Sequence, residues 1–384
     1  MGSVKAFSKT GPTHMMAKAG AAGSSPTKTI EIDWDNEEHR RCITACLVKG
    51  TYVLESERAN SSEADDDDDS DKPLAPAWWE SFHFRLFREL KCACGCALCK
   101  ICRHIVEAKS PRFIYGAIFE YAPPVGSRRH PSAPSYVVAF RGTMRRDATT
   151  LGDVCLDLGI LLNKHHNCVR FTHAREEVGK FLDDTGSCAA VWLAGHSLGA
   201  SIALDVGRAI VMGANREVNM PTFLFNPPQV SPTALISDKL PITKTVVHTS
   251  SYILKQGLGK VLKPHKKNMD HHFEQLSPWA PNLYVHQRDI ICKGFIDYFE
   301  QRERVRERLP SVAASGTTLS YRDMCRSVLG GQNDRPHLLP SAILWKNESP
   351  DGDAHELRQW WQPQGPELVL SHKSYEWPAS TNKA

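Results

Sequence analysis

No stretch of this sequence is apolar for long enough to cross a bilayer, so a transmembrane helix is not expected. The N-terminus also lacks the apolar core of a secretory signal. Twelve cysteines are present all the same, and without an export signal they read as thiols or metal ligands in a reducing compartment. Lysine and arginine form no dense stripe interleaved with aromatic residues, and the formal net charge is only +4. A nucleic-acid partner is therefore not expected. The first 29 residues hold neither an acidic residue nor an arginine. Lack of acid suits an organelle transit peptide, for instance into a chloroplast, but lack of arginine does not, so a disordered tail on a cytoplasmic protein is preferred. Met1 and Gly2 begin like a myristoylation site, yet Ala6 stands where a hydroxyl residue is wanted.

What is present is a globular composition, 41% hydrophobic and 23% charged, and 384 residues suffice for one large α/β domain or two small ones. The most informative stretch is 191–213. Its first four residues, Val191, Trp192, Leu193 and Ala194, suit a buried strand. Beyond it Leu198, Ile202, Val206 and Ile210 recur every four residues, as on one face of a helix. Between the two lie Gly195, His196, Ser197, Leu198 and Gly199, a G-x-S-x-G pattern. A strand that turns abruptly into a helix strains the backbone at the serine and pushes its hydroxyl out from the sheet. The flanking glycines remove Cβ atoms that would collide there, and the helix N-terminus favours negative charge developing beside the serine. Ser197 is thus the candidate nucleophile. A bare G-x-S-x-G is as well explained as a capped turn; the strand before it and the helix after it favour the chemical reading.

The elbow GHSLGA, with the upstream run Phe140, Arg141, Gly142, Thr143, resembles the class 3 lipases of the α/β-hydrolase superfamily. The spellings Trp78-Trp79-Glu80-Ser81-Phe82-His83-Phe84, Phe223-Leu224-Phe225-Asn226-Pro227-Pro228 and His355-Glu356-Leu357-Arg358-Gln359-Trp360-Trp361 resemble a plant branch, the At4g10955-like lipases, often labelled GDSL esterases. The resemblance covers roughly residues 30–361. It implies an α/β-hydrolase fold, a doubly wound, mostly parallel sheet with helices on both faces, and cleavage of carboxylic esters, with acyl esters of lipids as the expected substrates. No metal or organic cofactor is implied. It further implies oxyanion donors at Leu198 and Thr143, and a triad acid at Asp289, where Arg288, Asp289, Ile290 and Ile291 stand for an N-D-I-V-like loop. Arg288 departs from that pattern and can instead pair with the carboxylate, and Asp297 is the fallback. An aspartate in the segment 144–162, Asp153 or Asp157, would steady the oxyanion loop. Of three competing histidines, His355 follows the last expected strand and opens a helix, which favours it as the base over His337, ahead of the strand, and His372, in a polar tail. Ser197, Asp289 and His355 then occur in the chain order of α/β-hydrolases.

The remaining chain is organised around this core. Residues 30–55 begin the fold, with Asp35 or Asn36 capping a helix that turns Cys42, Ile43, Cys46 and Leu47 inward. Five consecutive aspartates, Asp65 to Asp69, make 61–72 a solvated acidic loop. Residues 78–90 read as an amphipathic helix packed on the sheet, with peripheral membrane contact as a secondary use. Runs 113–121 and 135–140 read as neighbouring strands, 169–182 as a helix with Phe171, Ala174, Val178 and Leu182 inward, 222–226 and 282–286 as strands. Residues 231–280, which hold His265, His271 and His272, are placed as a cap or lid, with His271 and His272 beside Asp270 as surface residues; 301–309 reads as a solvent-facing helix; 30–362 is the domain and 363–384 a tail. Cys92, Cys94, Cys96, Cys99 and Cys102, in a Cys-rich insertion at 92–102, are close enough to hold zinc, yet the second ligand pair of a zinc finger is missing. An oxidisable loop is preferred. The expectation is therefore a serine ester hydrolase. A catalytically inactive lipase-like scaffold and a metal- or redox-responsive module are the alternatives.

Overall fold

Asn36 accepts the N–H of Glu38 on its side-chain oxygen at 2.9 Å and so caps α1 (Glu37–Ser61), whose first turn also carries Glu37 and Glu38 at its electropositive end. The expected inward face, Cys42, Ile43, Cys46 and Leu47, is fully buried. The computed structural model describes residues 12–15, 32–61, 78–93, 112–143, 168–186, 190–213, 220–229, 263–310, 318–320, 338–350, 352–366 and 368–377. The expected acidic loop, four of the five clustered cysteines (Cys94, Cys96, Cys99, Cys102), Asp153, Asp157 and His337 lie outside the described residues.

Eight strands make one sheet in strictly sequential order: β1 (Phe84–Cys92), β2 (Phe113–Tyr121), β3 (Tyr136–Phe140), β4 (Val191–His196), β5 (Thr222–Phe225), β6 (Asn282–His286), β7 (Ala342–Asn347) and β8 (Leu370–Tyr375). The run β3 to β7 is parallel, and β1, β2 and β8 join antiparallel at the two edges. This is an α/β protein with a mostly parallel sheet. Between the parallel strands stand α2 (Val169–Thr185), α3 (Leu198–Gly213), α4 (Lys263–Leu276) and α5 (Gly294–Arg308).

The pleat sorts the core into two layers. On β4, Val191 and Leu193 pack with Phe171 and Val178 of α2, Ile202 and Val206 of α3, and Phe295 and Phe299 of α5. Trp192 and Ala194 point the other way, into a layer with Ile43 and Leu47 of α1 and with Leu357, Trp360 and Trp361 of a C-terminal 3-10 helix (Leu357–Trp361). Helices therefore cover both faces, but not by double winding. Right-handed crossovers that always advance in one direction leave their helices on one side. Sequential strand order requires this, and among the described residues the helices between parallel strands share one face. The opposite face is covered by α1 and the 3-10 helix, from the two ends of the described chain.

Three expectations need correction. Residues 78–90 are not a helix: Trp78–Phe82 is a 3-10 turn and β1 follows, with register breaks between Leu86 and Arg88 and between Leu90 and Lys91. Those irregularities interrupt the two-residue alternation that marks a strand. The tail from 363 contains β8, paired along its whole length with β7; as an edge strand its four central residues are exposed, so it carries no apolar alternation. Of the expected cap, residues 231–262 lie outside the described residues, and 263–276 form α4, whose Leu276 enters the core beside Trp279. Finally, α5 is solvent-facing on one side only. Its Arg302 is buried over the Phe299 ring and donates to the carbonyls of Leu339 and Pro340.

Candidate active site

The registers Phe140↔Gly195 and His196↔Phe225 bring the ends of β3, β4 and β5 level, so whatever follows each strand meets at one rim of the sheet. At the end of β4 the chain turns at once into α3, and Ser197 takes φ +53°. A left-handed serine is strained, and here the sharpness of the turn imposes it. A Cβ on Gly195 would strike the carbonyl of Gly199, and one on Gly199 would strike the carbonyl of Phe140. Only glycines let the helix start so close to two strands.

His355, on the loop after β7, faces the serine. Its Nε2 lies 3.0 Å from Ser197 Oγ, and its Nδ1 donates to Asp289 Oδ2 at 2.7 Å. With the proton on Nδ1, Nε2 is left as the acceptor for the hydroxyl. Asp289 is fully buried on the loop after β6. Burial alone would raise its carboxyl. Hydrogen bonds from His355, Cys292 at 3.0 Å and Asn226 at 2.8 Å, with the imidazole's charge, outweigh that and hold it below the ordinary carboxylate value. Its other oxygen accepts the N–H of Ile291 at 3.0 Å. Arg288 does not compete: it is exposed and donates to the carbonyl of Gly352. Asp297 lies inside α5, and His372 lies on the β8 edge stacked on Trp345, so neither enters the site.

The end of β3 abuts the elbow. A Cβ on Gly142 would lie 2.9 Å from Ser197 Cβ and from the carbonyl oxygen of His196. Arg141 fixes this turn: it donates to the carbonyl of Ile114 at 2.6 Å and to that of Gly142 at 2.8 Å, and its guanidinium lies 3.7 Å from buried Glu55. The Gly142–Thr143 peptide is planar and trans, so a carbonyl held by Arg141 directs the Thr143 N–H the opposite way. Leu198 is the first residue of α3, whose leading N–H groups have no partner within the helix.

Sequence reasoning missed a second shell of contacts. Gly142 donates its N–H to the Tyr52 hydroxyl at 2.7 Å, that hydroxyl lies 2.8 Å from His196 Nδ1, and His196 Nε2 lies 2.9 Å from the carbonyl oxygen of His355. One proton arrangement satisfies all three: Tyr52 donates to Nδ1 and Nε2–H donates to the carbonyl. Burial, with the charge of His355, keeps His196 neutral by lowering it to about 3. Asn226 and Trp360 also lie here, both fully buried. Each stands in a spelling noted above, but nothing local in the sequence says what the amide or the indole touches.

No family model matches the sequence, and no solved structure matches it. A curated plant protein does. The GDSL esterase/lipase At4g10955 of Arabidopsis thaliana is 33% identical over 374 residues, covering 93% of this chain and 94% of that protein. The chain belongs to this esterase/lipase family. In the family member described here the strained serine stands in Gly195-His196-Ser197-Leu198-Gly199, and no Gly-Asp-Ser-Leu run occurs anywhere in the sequence. Among its described residues no helix is long and apolar enough to cross a membrane, and no group of three or more His, Cys, Asp or Glu side chains gathers as a metal site. The five described cysteines, Cys42, Cys46, Cys92, Cys168 and Cys292, are buried thiols rather than disulfides.

Proposed function

We propose that this protein is a serine carboxylic-ester hydrolase of the α/β-hydrolase fold, similar to class 3 lipases, and that it cleaves acyl esters of lipids through an acyl-enzyme. The observation that carries this is the unbroken contact from Ser197 Oγ to His355 Nε2 and from His355 Nδ1 to Asp289. His355 takes the serine proton as the hydroxyl attacks the ester carbonyl, then returns it to the leaving alcohol, while Asp289 holds the ring in the required tautomer. The N–H groups of Leu198 and Thr143 receive the oxyanion, each worth about 3 kcal/mol in comparable sites. Water, activated by the same imidazole, releases the acid. The Arabidopsis relative, an esterase/lipase by name, supports the reaction class.

The test is covalent. A fluorophosphonate should label the purified protein at Ser197, and Ser197→Ala should abolish both the label and turnover of p-nitrophenyl esters. Label that survives Ser197→Ala would place the nucleophile elsewhere, and folded protein that neither reacts nor turns over would leave a binding role.

A further inference from the structure

Asn226 sits at the end of β5 with φ +47°, buried, its backbone N–H on the carbonyl of Tyr284 at 2.8 Å. Its side-chain amide reaches three elements. One N–H donates to Asp289 Oδ2 at 2.8 Å, the amide nitrogen also donates to the carbonyl of Ala354 at 2.9 Å, and Oδ1 accepts the indole N–H of Trp360 at 2.5 Å. Ala354 immediately precedes His355. The amide therefore joins the acid's loop, the base's loop and the 3-10 helix after the base.

Only one orientation of this amide fits. Turned over, its NH2 would face the Trp360 N–H, donor against donor, and its oxygen would face the Asp289 carboxylate. The indole thus determines which end meets the acid. Trp360 is itself fixed from both sides: its ring packs on Phe225 and Tyr284, and its carbonyl accepts from Arg41 of α1. Asparagine meets both demands of the position, tolerance of a left-handed backbone and a side chain with donor and acceptor. Glycine would satisfy only the first.

We infer that Asn226 and Trp360 form a positioning pair: the indole orients the amide, and the amide sets the distance between Asp289 and the loop of His355. This rests on the reading of Ser197, His355 and Asp289 as the triad. It assigns a task to the Asn of Phe225-Asn226-Pro227-Pro228 and to the first Trp of Trp360-Trp361. Neither residue touches the reacting atoms.

The experiment is the rate of Ser197 labelling by a fluorophosphonate across pH, on the full chain, well below its unfolding temperature. Trp360→Phe keeps an aromatic ring in the core but removes the N–H together with part of the indole, and it should slow labelling about tenfold. Asn226→Asp adds a carboxylate beside the imidazole, which favours the imidazolium, so the acidic limb of the labelling profile should move to higher pH. A purely structural role for the indole would lower the melting temperature and leave the labelling rate below it in place. Labelling by Trp360→Phe within twofold of wild type overturns the inference, whether or not Asn226→Asp folds. Failure of the wild type itself to label strikes the triad reading instead.

Discussion

His196 Nε2 donates to the backbone carbonyl of His355 at 2.9 Å, so the residue before the candidate nucleophile holds the segment that carries the candidate base. The same ring reaches Tyr52 of α1, and through its hydroxyl Gly142 at the end of β3. Three segments that meet only in the folded chain are thereby held in register by neutral hydrogen bonds.

Tyr52→Phe should disturb this without unfolding the protein. It strips the acceptor from the Gly142 N–H and the donor from His196 Nδ1, and a buried polar group left unpaired costs about 1–3 kcal/mol. The expected result is a fall of roughly tenfold in kcat for p-nitrophenyl ester hydrolysis, with KM little changed. Steady-state kinetics beside a thermal melt would show it, and an unaltered kcat would mean that the hydroxyl serves stability alone.

Acid should weaken the fold through His196. Its ordinary value is 6.5 and burial lowers it to about 3. As pH falls below 6.5 the unfolded chain takes up a proton that the folded one refuses until about 3, so this contribution is complete above 6.5 and lost on the way down. The loss is on the order of a few kcal/mol. Urea midpoints between pH 7 and pH 4 should drop more steeply for wild type than for His196→Gln; parallel curves would count against it.

Strain at Ser197 should appear as a difference between two inactive variants. Ser197→Ala and Ser197→Gly both remove the hydroxyl, but only glycine relaxes at φ +53°. The glycine variant should be the more stable by about 1 kcal/mol. Equal unfolding midpoints would mean that the elbow is not strained.

Asp289→Asn leaves the shape of the site but gives the imidazole a donor where it needs an acceptor, and sets that donor against Asn226 as well. A fall in kcat of about four orders of magnitude is expected, as for the equivalent change in serine proteases. Activity within tenfold of wild type would move the acid to another residue.

Much of the central sheet is legible from local pattern. Val191 to Ala194 and the four-residue spacing from Leu198 to Ile210 give β4 and α3, because a strand buried at every residue reads as an unbroken apolar run and the large apolar residues of the helix recur at helical spacing. The edges are not legible. β1 is broken by register shifts and β8 faces solvent along its centre, so neither writes a clean alternation. The strained turn at Ser197 can be read because its geometry is local, five residues with their glycines. The contacts around it cannot, since Tyr52 stands 144 residues from His196 and Asn226 stands 134 from Trp360. Nothing near Tyr52 distinguishes its hydroxyl from that of any half-buried tyrosine.

Arg41 of α1 donates to the carbonyls of Trp360 and Gln362, some 320 residues further along the chain. One face of the sheet is therefore closed only when α1 meets a segment from the opposite end of the described chain. The residues up to the end of β6 and its loop hold Ser197 and Asp289 but not the proposed base, His355. For the hydrolase proposed above, a cut just ahead of residue 354 would separate His355 from Ser197 and Asp289 and should abolish turnover.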